Sequence, residues 1–392
     1  MTTWEMRTIS IIFIAIFSFT TACFSQRKAV PVPVIFDSDM GPDYDDVGAI
    51  TILHALADKG EAKILATMAS TNYEGVAGVL NIFNTYFNRP DLPIGVPKGN
   101  ALSLRDWQHW TDTLLAKYPH QLKTNNQAAD AVSLYRKLLA GQPDNSVTIV
   151  TVGFLTNLSN LLNTSGDSYS PLTGIGLVKK KVKQLVCMAG KFPSGWEFNV
   201  MKDAQASKNV YDNWPTQIIF SGFEIGVKIK AGLPLINNKT IANSPVKNAF
   251  RIAIPMARED SLGRSSWDET AVLIAIKGYS QWYTLHNGKM KVAADGSNTW
   301  DDAANGQAYI AEKVNYTVVQ DLINQLIMHQ PVKRVNRRST GQTRSSGGSR
   351  MSQSTQNRIA QIEALSRKVD KIEANINKRE REIKRVEAHE RD

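Results

Sequence analysis

The sequence predicts an α/β fold, with a single large domain over residues 31–330 built on a mostly parallel central sheet flanked by helices, and a helical tail behind it. Two observations predict it. Short apolar runs rich in β-branched residues alternate with stretches of helical periodicity through the whole of this region, the pattern that places crossover helices on both faces of a parallel sheet. No linker-like segment interrupts the alternation. Residues 32–36 form the first strand. Val47, Ile50, Leu53 and Leu56 then mark a helix over 47–58. Further strands are expected over 64–69, 94–96, 147–152, 182–189 and 216–220, with helices near 75–88, 126–140, 154–163 and 203–213. Residues 98–125 and 221–262 read as insertions or loops near the site. Ser265-Ser266-Trp267-Asp268-Glu269-Thr270 opens a helical run over 271–276, where spacing favours Asp268 as an N-cap and a metal ligand is the alternative.

The two ends have their own composition. In residues 1–25, Arg7 precedes an apolar core over 9–19 that is too short to span a bilayer comfortably, as in a secretory signal. Cys23, after a small residue, is a lipidation candidate; cleavage near Ser25 and an uncleaved anchor are the alternatives. The expected location is therefore outside the cytoplasm, periplasmic or lipid-anchored to a bacterial membrane. Cys187 lies in an apolar run and reads as a buried, inert strand residue. The second end begins with a flexible basic linker over 331–355. Over 356–390, Ile362, Leu365, Val369, Ile372, Ile376, Ile383 and Val386 follow spacings of three and four, broken only at Arg379. This predicts a short coiled coil and a homo-oligomer assembled through it. A lone charged helix, a disordered tail or a basic helix on an anionic surface are the other readings.

The formal charge of +10 divides unevenly. From residue 331 onward there are 16 Lys or Arg against 8 Asp or Glu, and the first 30 residues hold three against one; the remaining 300 residues carry 27 of each sign. A neutral main domain gives a nucleic-acid polymer no electrostatic footing.

Chemistry concentrates where the first strand ends. Asp37, Asp39, Asp43, Asp45 and Asp46 fall within the ten residues Asp37-Ser38-Asp39-Met40-Gly41-Pro42-Asp43-Tyr44-Asp45-Asp46. So many carboxylates stay ionised together only if a cation or strong donors offset their repulsion. The ligands on offer are oxygens, which selects a hard ion, Ca²⁺ or Mg²⁺, over zinc. An EF-hand loop fits poorly, because Gly48 stands where its twelfth-position Glu belongs. An aspartate nucleophile for phosphoryl transfer and a solvated acidic turn remain as alternatives. Polar residues also follow the other strands: Ser70-Thr71-Asn72, Thr151-Val152-Gly153 with Leu155-Thr156-Asn157, and Glu197-Phe198-Asn199.

Together these segments resemble the inosine-uridine preferring nucleoside hydrolase family, in the family's own order. Asp37-Ser38-Asp39-Met40-Gly41 with Asp45-Asp46-Val47-Gly48 is similar to its N-terminal signature. The resemblance implies a Ca²⁺ held by Asp39, Asp46, Asp268 and the backbone carbonyl of Thr151, with the ribose 2′- and 3′-hydroxyls and a water completing about seven or eight oxygens. It implies Asp39 as the general base toward that water, and Asp45, Asn72, Glu197 and Asn199 as ribose-binding residues. The implied substrate is a nucleoside or related N-riboside, cleaved to ribose and free base through an oxocarbenium-like transition state. Asn72 as a turn cap and Glu197 as an exposed loop acid are the alternative readings. Three departures stand out. Pro42-Asp43-Tyr44 lengthens the signature by two residues, so that Asp43 joins or replaces Asp45. Trp267 stands where members active on inosine often carry a His; an indole cannot protonate a leaving base, but it can stack on one. Lys191-Phe192-Pro193-Ser194 occupies the place of an expected Asn.

Overall fold

The strand that carries the acidic cluster lies inside the sheet with neighbours on both sides. β1 (Val32–Ser38) is apolar on both faces, with Val34 and Phe36 packing into one hydrophobic core and Ile35 into a second on the opposite face. A strand buried on both faces needs such a continuous apolar run. The computed structural model describes residues 30–332, so the predicted signal over 1–25, nearly all of the linker and the coiled coil over 356–390 lie outside the described residues.

On one side of β1 lie β2 (Ala62–Ala69), β3 (Ile94–Val96) and β4 (Ala129–Asp130); on the other lie β5 (Val147–Thr151) and β6 (Val182–Met188). Later strands are β7 (Ser194–Trp196), β8 (Gln217–Ser221), β9 (Lys230–Ala231), β10 (Arg264–Ser265), β11 (Tyr283–Val292), β12 (Ser297–Asp301) and β13 (Gln307–Glu312). The main sheet has the order β4-β3-β2-β1-β5-β6-β8-β13-β11-β12-β7, and β9 pairs with β10 separately. Pairing is parallel from β4 through β13 and antiparallel across β11, β12 and β7. The sheet is thus mostly parallel but mixed.

The helices are α1 (Asp45–Asp58), α2 (Val76–Tyr86), α3 (Trp110–Lys117), α4 (Ala131–Ala140), α5 (Thr156–Leu162), α6 (Gly174–Lys181), α7 (Phe198–Lys202), α8 (Ala204–Asn213), α9 (Phe223–Gly226), α10 (Leu233–Asn237), α11 (Pro245–Ala253), α12 (Trp267–Lys277) and α13 (Tyr316–Ile327). One core gathers side chains of α1, α2, α11, α12 and α13, the other those of α4, α5, α6 and α8. Cys187 is fully buried in β6, as its apolar run predicts.

The two regions read as insertions or loops carry helices. Within 221–262, α11 begins at Pro245 behind Ser244, whose Oγ accepts from the Lys247 amide at 3.2 Å, and it buries Val246, Ala249, Phe250 and Ala253. Proline at the first helical position and a serine cap are strong start signals. Within 98–125, α3 buries Trp110 and Leu114. The helix expected over 126–140 starts only at Ala131, because the chain is extended at Asp130, whose Oδ1 caps the Ser133 amide at 2.8 Å.

Candidate metal and ribose site

The chain order reverses direction at β1: β2 to β4 build outward on one side, and β5 then returns to the other. The crevice beyond the strand ends at such a switch point is where open α/β sheets bind ligands. Gly153, just past β5, lets the two strand ends meet, since a Cβ there would stand 2.4 Å from the Asp39 amide nitrogen and 2.5 Å from Ser70 Oγ. After β1 the chain folds back on itself. Ser38 Oγ donates to Asp46 Oδ1 at 2.5 Å, the Met40 amide donates to the same oxygen at 3.2 Å, and Tyr73 OH donates to the Met40 carbonyl at 2.7 Å. The turn sets Asp45 and Asp46 in the first turn of α1, where helix dipoles favour negative charge.

Carboxylates from three elements converge there. Oxygens of Asp43, Asp45 and Asp268 lie within 4.8 Å of one another, and Asp39 lines the same cleft. Arg264 answers part of this charge. Its Nη2 lies 2.7 Å from both Asp43 Oδ2 and Asp45 Oδ1, and its Nε donates to Asp45 Oδ1 at 3.0 Å. The guanidinium sits 5.1 Å from the ring centres of both Tyr44 and Trp267, and Tyr44 OH donates to Asp260 at 2.6 Å. One guanidinium does not balance the group. Burial, reinforced by the neighbouring aspartates, holds Asp39 and Asp268 well above the usual carboxylate range; burial also raises Asp43, against the pull of Arg264. Burial followed by the charge of Asp45 lifts Asp46 to about 7, and its Oδ2 is buried without a hydrogen-bond partner. An orphaned carboxylate oxygen beside an all-oxygen cluster fits a hard cation such as Ca²⁺.

The opposite wall comes from the segment after β6. Glu197 caps α7: one oxygen accepts from the Asn199 amide at 2.9 Å, the other from the Gly190 and Val200 amides at 3.1 and 3.2 Å. Asn199 Nδ2 donates to the Val152 and Met188 carbonyls, each at 3.2 Å. The rings of Trp196, Phe198, Phe223 and Trp267 complete the lining of the cleft. Trp267 Nε1 donates to the Phe223 carbonyl at 2.8 Å, and the two rings stack with centres 5.4 Å apart.

Of the residues singled out in the sequence, Asp39, Asp43, Asp45, Glu197, Asn199, Trp267 and Asp268 line this one cleft. Asp46 is fully buried beside it, and Thr151 is buried at the end of β5, opposite Asp37 in the β1 register. Asn72 is absent from the cleft lining. Asp37 points elsewhere: its carboxylate accepts from Tyr135 OH at 2.8 Å and Asn157 Nδ2 at 3.1 Å, and burial raises it to about 7. Two readings are corrected. Asp268 is not the N-cap of α12, because Ser266 holds that position and the helix has already begun at Trp267. Glu197 is not an exposed loop acid, because its capping bonds draw it inside. Sequence reasoning missed Arg264, a single arginine outside any motif; the uncompensated acidic run was the one signal that a buried cation had to exist.

Residues 34–329 match the family model described as inosine-uridine preferring nucleoside hydrolase. A pyrimidine-specific ribonucleoside hydrolase, RihA, of Enterobacter sp. (strain 638) is 28% identical over 237 residues, covering 58% of this chain and 67% of that protein. The RihA of Shewanella sp. (strain ANA-3) is 27% identical over 237 residues, 58% and 66% of the two chains. The alignments thus span about two thirds of these relatives. Among solved structures, the plant nucleoside hydrolase PpNRh1 superposes with a TM-score of 0.59 at 18% identity, over 76% of this chain and 99% of that one. An inosine-uridine preferring nucleoside hydrolase from Bacillus anthracis gives 0.58 at 15% identity, over 76% and 99%. At such identity the likeness is one of fold, and it is the family match across residues 34–329 that assigns the protein: the chain belongs to the inosine-uridine preferring nucleoside hydrolase family.

Proposed function

We propose that the protein is a Ca²⁺-dependent N-ribohydrolase that splits a nucleoside, or a related N-riboside, into ribose and free base. The observation that supports this most is the convergence of Asp39, Asp43, Asp45 and Asp268 at the β1/β5 switch point, over the orphaned oxygen of Asp46. Asp39, Asp46, Asp268 and the Thr151 carbonyl would hold the ion, with Asp43 and Asp45 beside it; Asp268 belongs to both groupings. Bound Ca²⁺ would supply the charge that anchors the ribose diol and favours ionisation of water.

The chain's own residues account for the rest. Asp39 accepts the proton of the water that attacks C1′, and the electrons of the C1′–N bond leave with the base. Asn199 has both amide N–H groups turned to backbone carbonyls, so its Oδ1 is the atom left to accept from a ribose hydroxyl. Glu197, fixed by three backbone amides, holds its carboxylate against the cleft without conformational cost on binding. Trp267 cannot act as an acid, because an indole N–H does not ionise near neutral pH; held by its bond to the Phe223 carbonyl, it orients the base by stacking.

The test is release of free ribose from a panel of purine, pyrimidine and nicotinamide ribosides, with and without chelator, using wild type and Asp39→Ala. Expected is chelator-sensitive release that falls by about 10² to 10⁴ in the variant. If no riboside in the panel is cleaved, the hydrolase reading is rejected. Trp267 in the place of the His, with Lys191-Phe192-Pro193-Ser194 in the place of the Asn, favours one second reading, a ribose- or nucleoside-binding protein without turnover; calorimetric binding in Ca²⁺ with no release would establish it.

A further inference from the structure

We propose that Lys191 determines specificity and that the preferred substrates are N-ribosides carrying a 5′-phosphate, an inference that rests on the N-ribohydrolase reading of the cleft. The backbone of Lys191 is held in place, and its exposed side chain leaves from that fixed point. The buried amide of Asn298 grips its backbone from both sides, accepting from the Lys191 amide at 2.9 Å and donating to its carbonyl at 2.8 Å. Its neighbours are equally fixed: the Gly190 amide donates to Glu197 and the Phe192 amide to Glu224, each at 3.1 Å, while the Phe192 ring stacks on Tyr309 at 4.4 Å. The aliphatic stem of Lys191 lies across Gly195, where a Cβ would stand 2.7 Å from Lys191 Cδ. Its ammonium ends 5.4 Å from the ring centre of Phe223, a wall of the cleft.

This ammonium makes no ion pair among the described residues. Glu224 lies near enough to feel its charge, with one oxygen accepting from the Phe192 amide and the other buried without a hydrogen-bond partner, yet the two make no ion pair. A second lysine repeats the arrangement, with Lys202 Nζ 5.5 Å from the ring centre of Phe198, another wall residue. Charge therefore changes sign from the carboxylates inside the cleft to two exposed ammoniums beside its aromatic walls, neither of them part of the cleft lining.

A substrate that satisfies all three layers follows from elementary chemistry. A riboside with its 2′,3′-diol at the carboxylates and its base against the rings has one hydroxyl left to carry an anion, the 5′-hydroxyl. Phosphate there supplies the charge that Lys191 lacks, and lysine serves such groups as a point charge. The balance is that of simple hydrolysis. Water oxygen bonds to C1′, the C1′–N bond breaks with its electrons on nitrogen, the remaining proton goes to a purine or pyrimidine base, or to solvent when the cationic nicotinamide group leaves neutral, and the phosphate ester stays intact. The products are ribose 5-phosphate and free base.

The experiment compares kcat/KM of the full chain, in Ca²⁺, for inosine, uridine and nicotinamide riboside against their 5′-monophosphates. Alongside it runs a tryptophan-fluorescence titration of ribose against ribose 5-phosphate. Expected is a preference of about tenfold or more for the monophosphates, carried by KM. It should shrink with added salt, collapse in Lys191→Gln and survive in Lys191→Arg. Equal or lower kcat/KM for the monophosphates, or a preference untouched by Lys191→Gln, overturns the inference. With no riboside cleaved at all, the hydrolase reading fails and the titration decides alone: tighter ribose 5-phosphate binding that depends on Lys191 upholds the inference, and equal binding overturns it.

Discussion

Arg264 shows how one side chain decides whether a crowded carboxylate site can fold. With 12% of its side chain exposed, it is shared between Asp43 and Asp45, and it lies over Tyr44 and Trp267. Removing one member of a buried charge cluster typically costs about 3–5 kcal/mol, because its partners are left uncompensated. On the proposed metal reading, a divalent cation at the same carboxylates would take over part of that compensation. Arg264→Met is therefore expected to lose about that much stability in chelator and clearly less in millimolar Ca²⁺, as read from denaturant unfolding curves in the two conditions. An equal loss in both would separate Arg264 from the metal site. The same residue marks the limit of what could be read from sequence. The acidic run announces a charge problem, and the family signature names Asp39, Asp45 and Asp46. No local pattern says that the answer arrives from residue 264, because the pairing is made only when β10 and α12 pack against the turn before α1. Asp37 erred in the opposite direction. It belongs to the run by spacing, yet the pleat of β1 turns it toward Tyr135 and Asn157, and alternation along a strand is the physical reason.

At the scale of elements, the closest approach beside the site is between α1 and α12, and a glycine permits it. A Cβ on Gly48 would stand 2.0 Å from Glu269 Oε1, and that buried carboxyl has no hydrogen-bond partner on either oxygen. Since α1 carries Asp45 and Asp46 and α12 carries Asp268, this packing sets the distance between the two sides of the carboxylate cluster. Gly48→Ala should wedge the helices apart, lowering stability by roughly 1–3 kcal/mol and weakening Ca²⁺ binding measured by calorimetry. Adding Glu269→Ala opens the space again, so the double variant should recover most of both. A double variant no better than Gly48→Ala would mean that the clash lies elsewhere. Most elements that build this region were legible, because α1 and the strands β1, β5 and β6 are continuous apolar runs with clear ends. The antiparallel extension of β11, β12 and β7 was not. β7 has three residues, none of them fully buried, and β11, which alternates at its two ends (Tyr283-Thr284-Leu285-His286 and Lys289-Met290-Lys291-Val292), is interrupted at its centre by Asn287 and Gly288.

Across the whole molecule, chain segments distant in sequence are tied together at a second buried polar centre. His54 of α1 donates from Nε2 to Asn84 Oδ1 at 3.1 Å and accepts at Nδ1 from Arg89 at 3.3 Å; its ring stacks on Phe87 with centres 4.8 Å apart. Asp58, at the end of the same helix, binds Arg89 at 2.5 Å and His329, just past α13, at 2.7 Å. The first and last helices of the domain therefore share one charged cluster. Burial, with the Arg89 charge second, pushes His54 from its ordinary 6.5 down to about 3. Between those values the unfolded chain takes up a proton that the folded protein refuses. This contribution to stability is thus complete above pH 6.5 and is lost as pH falls, at about 1.4 kcal/mol for each unit. Carboxyls held high by burial, Asp37 among them, act with the opposite sign, so the quantity to measure is the difference between wild type and His54→Gln. Urea unfolding at pH 7, 6 and 5 should show the wild type losing ground to the variant as pH drops below 6.5. The variant keeps an amide able to donate to Asn84, so its own pH slope reports the rest of the molecule. Parallel slopes for the two proteins would place the acid sensitivity of the fold in other groups.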